Sequence, residues 1–329
     1  MRKVLDATNF IKNKEQHPLN VVFQKTLKSS ISCTGIGLHT GQNVSMAIIP
    51  AEENHGIVFQ RTDLKKEDGF IPASWDHIVD TQMSTTIGNV YGARVATIEH
   101  LMAALSGCGI DNAVVEINGP EVPVMDGSAE PFVFLIECVG IKELTAPRRA
   151  IKIVRDIQVE DENCFINAKP EDSFSISFEI DFEDVFVGRQ RLDLQFVNGT
   201  FKTDIARART FGFLDEVNAL RKAGLARGGS LENAIVISGN SILNNDGLRY
   251  KDEFVRHKIL DCVGDLYLAG APILGRIDAF RSGHALNKKF LKELFQNEHA
   301  WSYVDFSEIP SDVFEHTGKT KAPPSVAHI

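Results

Sequence analysis

Short runs of alternating polar and apolar residues occupy residues 26–73, as in VSMAIIP and GIVFQRTD. A period of two is typical of strands that bury one face. The spacing becomes helical at TIEHLMAAL and is broken by Gly107 and Gly109, and a strand of Ala, Val and Ile follows. SAEPFVFLIECVG then predicts a second helix, with Ser128 as its N-cap and an end near Gly140. This part of the chain is predicted to form a sheet with two helices.

The same order returns in the second part of the chain. IKIVRDIQVED, CFINAKP and FSISFEIDF alternate as strands do, whereas EFVRHKILDCVGDLYLAG and NKKFLKELFQ have helical spacing. The proline and paired arginines of LTAPRRA, residues 144–150, mark the candidate boundary. We therefore predict an α+β fold of two similar domains, each a β-sheet packed on two helices. The predicted limits are an N-terminal extension, 1–20, domains 21–146 and 147–318, and a C-terminal tail, 319–329.

The order of the elements disfavours a doubly wound α/β fold. Strands cluster before helices in both parts, and the first part lacks a GxGxxG turn after a strand. Residues 204–237 have no counterpart in the first part and are predicted to be an insert in the second domain. The spaced leucines of this insert favour a small satellite core beneath it.

Composition narrows the class of protein. The 329 residues are 43% hydrophobic and 24% charged, which is typical of a globular protein, and the net charge of −9 argues against a nucleic acid partner. The five cysteines lie far apart without a CxxC pair, which favours a reducing compartment. No apolar run is long enough for a membrane span or a signal peptide. We expect a cytoplasmic protein with no stable membrane anchor.

Charged residues interrupt the helix predicted for residues 253–270. His257, Asp261 and Asp265 fall within about 80° of one another around the helix axis, with Lys258 beside them. The opposite side is apolar, so one side is expected to pack while the other presents ionisable groups. A His and an Asp four residues apart can reach one cation, and nitrogen and oxygen ligands suit Zn²⁺. For an isolated HxxxD pattern, a solvated face with a His–Asp hydrogen bond is the favoured alternative.

Three further motifs contain groups suited to catalysis. Glu99 and His100 in TIEHLMAAL can supply a base and a third metal ligand, and three protein ligands are typical of a catalytic zinc site. In RSGHALNKK, a loop that presents His284 beside Arg281 can supply an acid and bind an anion, although a turn with surface lysines is the favoured alternative for this motif alone. Thr210 in ARARTFGF is by itself predicted at a strand end or turn.

Together these motifs resemble one enzyme family. GIGLHTG, TIEHLMAALSGCGIDN, PVMDGSAEPF, RARTFGF, DEFVRHKILDCVGDL and SGHALNKK, in this order, are similar to motifs of the zinc-dependent UDP-3-O-acyl-N-acetylglucosamine deacetylases of lipid A biosynthesis. The resemblance covers about residues 26–325. It implies two domains, each with an insert, and an active site between them. It also implies hydrolysis of the N-acetyl group of UDP-3-O-(3-hydroxyacyl)-N-acetylglucosamine to acetate and a free amine, which is the committed step of that pathway.

The resemblance assigns roles to the residues that match the family motifs. His100, His257 and Asp261 would bind Zn²⁺, Glu99 would be the general base and His284 the general acid. Thr210 would help to hold the oxyanion, Lys258 would add positive charge near the water or substrate, and Asp265 would orient His284. All four charged or polar residues on one side of the predicted helix, His257, Lys258, Asp261 and Asp265, thereby receive a role. We call these four residues the polar stripe.

Further roles concern the substrate. The resemblance implies that Phe182 stacks on the uracil, that Arg281 meets the diphosphate and that His39 makes a polar contact near the catalytic groups. It also implies that the insert forms a passage for the acyl chain, lined by Phe211, Phe213 and Ala234. Cys164 stands where some relatives carry a basic residue, which removes a second phosphate contact. We expect a monomer that touches the inner membrane transiently to reach its amphiphilic substrate.

Other functions remain as alternatives. A zinc amidohydrolase could act on another acylated amino sugar, on simple amides or on peptides. A zinc-containing scaffold protein would use the polar stripe only to join two domains. A structural zinc site normally has four protein ligands and no free base, so the presence of Glu99 next to His100 argues against the scaffold.

Overall fold

The computed structural model describes residues 21–183, 186–197 and 199–306. The predicted N-terminal extension and C-terminal tail lie outside these residues, as do residues 307–318 of the second predicted domain. The described residues contain five α-helices: α1 Glu99–Cys108, α2 Glu130–Val139, α3 Leu214–Lys222, α4 Glu253–Leu266 and α5 His284–Gln296. Short 3₁₀ segments cover Trp75–His77 and Tyr267–Ala269, and a π-helical turn covers Phe201–Ile205.

Ten strands lie in the described residues of the first part of the chain, 21–147. They are β1 Phe23–Leu27, β2 Ile31–Ile36, β3 Asn43–Pro50, β4 Ile57–Arg61, β5 Phe70–Pro72, β6 Ile78–Asp80, β7 Thr86–Gly88, β8 Arg94–Val95, β9 Ala113–Ile117 and β10 Ile141–Pro147. A five-stranded sheet has the order β2-β3-β9-β4-β5, a three-stranded sheet has the order β6-β7-β8, and β1 pairs with β10. Only β4 and β9 run parallel among these pairs.

The part of the chain from residue 148 to 306, as far as the structure describes it, also contains ten strands. They are β11 Arg149–Ile153, β12 Ile157–Asp161, β13 Cys164–Lys169, β14 Phe174–Asp181, β15 Arg189–Gln195, β16 Phe211–Phe213, β17 Ile235–Ser238, β18 Ser241–Ile242, β19 Ile273–Phe280 and β20 Trp301–Asp305. The seven-stranded sheet follows β12-β13-β19-β11-β20, with β14 joining β19 to β15. The predicted insert contributes a separate sheet, β16-β17-β18, in which α3 connects the parallel strands β16 and β17.

The predicted α+β class is confirmed. The buried apolar residues of both parts form one continuous cluster, from Leu27 to Ala300. The division into two domains therefore stays a prediction. Helices α1 and α4, one from each part, pack directly on each other: a Cβ at Gly264 of α4 would lie 2.0 Å from the carbonyl oxygen of Glu99.

Three local predictions differ from the structure. Residues 144–150 are strand except at Arg148: Pro147 is the last residue of β10, and Arg149 begins β11. Proline lacks an N–H, but β10 pairs only with β1, so no hydrogen bond to a second neighbouring strand is lost. Helix α2 has Ala129 as its N-cap, although the Ser128 hydroxyl still accepts the N–H of Glu130 at 3.2 Å. No residue of α3 is fully buried and Leu225 is 36% exposed, so the insert has at most a shallow satellite core.

No helix among the described residues is both long enough and apolar enough to cross a membrane.

Candidate metal centre and catalytic groups

The polar stripe of α4 is buried against the start of α1. His257, Asp261 and Asp265 are 2%, 4% and 2% exposed, which excludes the alternative of a solvated face. This side of the helix is buried because α1 and α5 pack against it. His100, the second residue of α1, points its Nε2 to within 3.5 Å of Asp261 Oδ1. His257 Nε2 lies 3.4 Å from the same oxygen.

These three side chains fit a divalent cation. One ligand atom from each of His100, His257 and Asp261 lies within 4.8 Å of the others. Asp261 Oδ1 is buried and has no hydrogen-bond partner among the described residues. His257 Nδ1 donates to the carbonyl oxygen of Ala208 at 3.0 Å, which leaves the lone pair of Nε2 for the centre. Two imidazoles and one carboxylate are a donor set that a transition-metal ion such as Zn²⁺ satisfies.

Ionisation favours the same conclusion. Burial lowers the pKa of His257 to about 3, so the ring is neutral, as a metal ligand must be. Burial opposes ionisation of Asp261, but the charge of Lys258 holds the pKa of this carboxyl well below its usual range. Lys258 donates to Asp261 Oδ2 at 2.9 Å. Burial acts to lower the pKa of Lys258, but the Asp261 carboxylate outweighs burial, and the pKa of Lys258 is raised. Asp261 is therefore a carboxylate whose second oxygen is held by an ammonium group.

Glu99, the first residue of α1, lies beside this cluster and is 4% exposed. Its Oε2 accepts the backbone N–H of Thr85 at 3.0 Å, and its Oε1 lies 3.9 Å from His284 Nε2. Burial raises the pKa of Glu99, partly against the charge of His284. A carboxylate of raised pKa with one oxygen free of a strong donor is suited to accept a proton.

His284 lies on the other side of Glu99 and is the first residue of α5, not part of a loop as predicted. Its Nδ1 donates to Asp265 Oδ2 at 2.8 Å. Burial lowers the pKa of His284, and the start of a helix also disfavours a cation, but the Asp265 carboxylate outweighs burial and raises this pKa to about 9. The imidazolium therefore keeps a proton at neutral pH.

The sequence comparison identifies the family of this site. Residues 24–296 match the family described as UDP-3-O-acyl N-acetylglycosamine deacetylase. The chain belongs to this family. The resemblance stated from the motifs is thereby confirmed.

Individual members of the deacetylase family match most of the chain. A UDP-3-O-acyl-N-acetylglucosamine deacetylase of Acidithiobacillus ferrooxidans is 49% identical over 290 residues, which cover 88% of this chain and 95% of that protein. Enzymes of the same name from Shewanella baltica strain OS155 and Shewanella violacea are each 48% identical and are each covered to 94%, over 88% and 87% of this chain.

Several residues that the motifs did not single out support the catalytic groups of this deacetylase family member. Thr85 and Asn287 both donate to Asp265, and Ser282 donates to Asn287. Glu253 is fully buried and binds Arg209, the neighbour of Thr210, at 2.9 Å. The only sequence feature that could have pointed to these supporting residues is the run of three hydroxyl side chains, STT, at residues 84–86. This run predicts neither a helix nor a strand.

Thr210 lies directly before β16. Its N–H donates to the carbonyl oxygen of Gly127 and its own carbonyl accepts the N–H of Ile235, both at 2.8 Å. The ring of Phe211 lies 6.3 Å from that of His257, so Thr210 is one residue from the wall of the metal cluster. The Thr210 hydroxyl makes no hydrogen bond with a described residue.

The predicted uracil and acyl contacts meet in one aromatic group. The ring of Phe182 lies 5.7 Å from Phe211 and 5.9 Å from Phe213, and Phe211 lies 4.8 Å from Phe254. Ala234, partly exposed, comes just before β17, which pairs with β16. The separate roles of Phe182 and of the insert phenylalanines stay predictions, since these rings share one surface.

Arg281 and His39 occupy unusual environments. Arg281 is exposed three residues before His284 and has a left-handed backbone with φ of 52°, a strained state for a residue with a Cβ. Both ring nitrogens of His39 are buried without a hydrogen-bond partner among the described residues. Burial lowers the pKa of His39, against the charge of Glu121. Cys164 lies partly buried at the start of β13.

A cavity in the described residues lies apart from His100, His257 and Asp261. It has a volume of about 750 Å³ and lies between residues 106–109 at the end of α1 and residues 263–267 at the end of α4. The metal-ligating candidates are at the opposite end of α1 and further toward the start of α4. This cavity is therefore not the candidate metal site.

Proposed function

We propose that this protein is a zinc-dependent hydrolase that removes the N-acetyl group of UDP-3-O-(3-hydroxyacyl)-N-acetylglucosamine in lipid A biosynthesis. The observation that carries the proposal is the buried group of His100, His257 and Asp261, with Glu99 and His284 beside it. Family membership supports the substrate, because relatives that are nearly half identical are named for this reaction.

The chain's own side chains account for the proton transfers. Zinc held by His100, His257 and Asp261 would supply a Lewis acid that polarises the amide carbonyl and makes water more acidic. Glu99 accepts a proton from the attacking water through Oε1. His284 donates a proton from Nε2 to the leaving nitrogen. Water thereby adds across the C–N bond, and acetate and a free amine are released.

Charge stabilisation would come from two further residues. The developing oxyanion needs donors placed where the negative charge appears. Thr210 can supply a hydroxyl, and Lys258 adds a positive charge beside Asp261. Asp265 holds Nδ1 of His284, so the proton to be donated is on Nε2.

The substrate would extend across both parts of the chain. We place the uracil against Phe182, the diphosphate near Arg281 and a polar group of the substrate near His39. We place the acyl chain along Phe211, Phe213 and Ala234. The site then lies between the proposed domains 21–146 and 147–318, because His100 belongs to the first and His257 to the second. The five cysteines are unpaired, which favours the reducing cytoplasm, and we propose a monomer that contacts the membrane only transiently.

Turnover of UDP-3-O-(3-hydroxyacyl)-N-acetylglucosamine, measured as acetate release alongside metal content, tests the proposal. We expect release of one acetate per substrate by protein that contains about one zinc per chain. Hydrolysis of N-acetylated peptides or of another acylated amino sugar in preference to this substrate would favour the other amidohydrolases. Bound zinc with no turnover of any of these would favour the scaffold.

Variants separate the ligands from the base. His100→Ala, His257→Ala and Asp261→Ala each remove a ligand and should lose zinc. Glu99→Ala should keep zinc and lose turnover by a factor on the order of 10² to 10⁴, since only the base is removed. Full zinc occupancy in all three ligand variants would contradict the metal assignment, and near-normal turnover by Glu99→Ala would assign the base to another residue.

A further inference from the structure

Thr85 hydrogen-bonds to the proposed base, Glu99, and to Asp265, which orients the proposed acid, His284. It lies between β6 and β7 in the first part of the chain and is 1% exposed. Its N–H donates to Glu99 Oε2 at 3.0 Å, and its hydroxyl donates to Asp265 Oδ1 at 2.5 Å. Among the described residues, Thr85 is the one that hydrogen-bonds to both of these carboxylates.

The backbone around Thr85 is held against the start of α1. The hydroxyl of Ser84 accepts the N–H of Thr97 at 3.2 Å, and the carbonyl oxygen of Thr85 accepts the N–H of Ile98 at 3.3 Å. With the bond to Glu99, three hydrogen bonds join residues 84–85 to residues 97–99. The position of the Thr85 hydroxyl is therefore set by the same segment that carries the base.

The hydroxyl completes the hydrogen bonds of Asp265. Asp265 Oδ2 accepts from His284 Nδ1 and from Asn287 Nδ2, each at 2.8 Å, and Ser282 fixes the orientation of the Asn287 amide by donating to its oxygen. Within the described part of the chain, Thr85 alone donates to Oδ1. A hydroxyl has one proton, so with that proton on Asp265 its lone pairs can face His284 Nδ1, 3.2 Å away.

We propose that Thr85 is a positioning residue that holds Asp265, and through it the His284 ring, in register with Glu99. Glu99 and Asp265 are two buried carboxylates on different helices, and the two donors of Thr85, its N–H to Glu99 and its hydroxyl to Asp265, fix their separation. His284 Nε2 then faces Glu99 Oε1 across the 3.9 Å gap where the substrate's proton transfers would occur. The expected effect on kcat rests on the proposed function. The structural link from Thr85 through Asp265 to His284 does not depend on that function.

Thr85→Val tests the inference because it removes the hydroxyl and keeps both the shape and the backbone N–H that holds Glu99. We expect kcat to fall on the order of 10- to 100-fold with KM and zinc content nearly unchanged, since His284 loses alignment and no ligand is touched. Thr85→Ser should recover most of kcat. Thr86→Val is the matched control: it makes the same change at the next residue, whose hydroxyl has no hydrogen bond to a described residue.

NMR of protein labelled with ¹⁵N-histidine supplies a readout that does not depend on turnover. The resonance of the His284 Nδ1 proton, assigned by its absence in His284→Ala, should be unchanged in Thr85→Ser and Thr86→Val and should move in Thr85→Val. An unmoved resonance together with unchanged kcat in Thr85→Val would overturn the inference. Equal losses in Thr85→Ser and Thr85→Val would also overturn it, because the methyl group and not the hydroxyl would then be the cause.

The two proposals can fail separately. If the unaltered protein does not release acetate from the UDP-sugar, the proposed function is wrong, and the NMR comparison still decides whether Thr85 holds His284. If the unaltered protein is active, and Thr85→Val changes neither kcat nor the His284 resonance, as expected for Thr86→Val, then the positioning role is wrong and the proposed function stands.

Discussion

His284 illustrates how one neighbour sets the chemistry of a residue. Burial and the start of α5 both act against a protonated ring, yet the Asp265 carboxylate, 2.8 Å away, raises the pKa of His284 to about 9. Glu99 and Asp261 also face the ring and act in the same direction. The acid is thus protonated across the neutral range, and its proton is lost only as the pH rises through about 9.

The pH dependence of kcat follows from this shift. We expect activity to decline above about pH 9 as His284 loses its proton. In Asp265→Asn the raising charge is gone while burial still lowers the pKa, so the decline should begin at lower pH. Measured pH profiles of kcat check both statements. An unchanged basic limb in Asp265→Asn, or in the residual activity of His284→Ala, would assign the limb to another group.

At the scale of elements, the crossing of α1 and α4 brings the proposed metal ligands together. Gly264 lies at this crossing, where a Cβ would be 2.0 Å from the carbonyl oxygen of Glu99 and 3.1 Å from the N of Ala103. Backbone atoms cannot move aside as a flexible side chain can. Only glycine therefore lets His100 of α1 approach His257 and Asp261 of α4.

Gly264→Ala tests the importance of this crossing. In most helix interiors this change stabilises a protein by about 0.5–1 kcal/mol. Here we expect it to lower the free energy of unfolding by about 1–3 kcal/mol, because the helices must separate, and to weaken zinc binding. Denaturant titration and metal competition measure the two effects. A variant as stable as the unaltered protein would show that the crossing tolerates a side chain.

The insert is the second element with a testable role. Parallel strands β16 and β17 place Ala234 beside the segment that carries Phe211 and Phe213. Burial of a CH₂ group contributes about 0.8 kcal/mol of binding free energy. Shortening the acyl chain by four carbons should therefore remove up to roughly 3 kcal/mol of transition-state stabilisation, which lowers kcat/KM about 100-fold.

Two variants localise the acyl chain. Ala234→Leu should abolish the preference for the longer substrate, whereas Ala219→Leu, the same change on the exposed face of α3, should preserve it. The rates are compared below the critical micelle concentration. Equal efficiencies for long and short substrates would limit the insert to structural packing.

At the scale of the whole molecule, the proposed metal centre joins distant parts of the chain. His100 comes from the first part, and His257 and Asp261 come from the second, within one continuous apolar cluster. A ligand that binds only the folded state stabilises it by an amount that grows with its concentration relative to Kd, about 2.7 kcal/mol at 100 times Kd. Bound zinc should therefore stabilise both parts together.

Metal removal gives the corresponding prediction. We expect a chelator to lower Tm in a single transition, and zinc to restore it, because the lost stabilisation is shared by the whole fold. Asp261→Ala should show the lower Tm from the start and should not respond to chelator. A Tm of the unaltered protein that is independent of chelator and zinc would contradict a metal held between the two parts.

Sequence by itself determined the local features of this protein. The period of two located most long strands, helical spacing located α1, α2, α4 and α5, and Gly109 ended α1 through its left-handed backbone with φ of 68°. The spacing of His257 and Asp261 placed both on one side of α4, and the motifs identified the family. These features depend on residues close in the chain, where periodicity and backbone preference act directly.

Tertiary structure alone decided which residues meet. Thr85 reaches Asp265 across 180 positions and His284 across 199, and no local pattern encodes such separations. The polar side of α4 looked suited to water, but packing of α1 and α5 buried it, and burial is what neutralises His257 and makes the charge of Asp265 decisive for His284. Local spacing orients a side chain on its own helix, whereas its partners, its dielectric surroundings and hence its pKa depend on what packs against that helix.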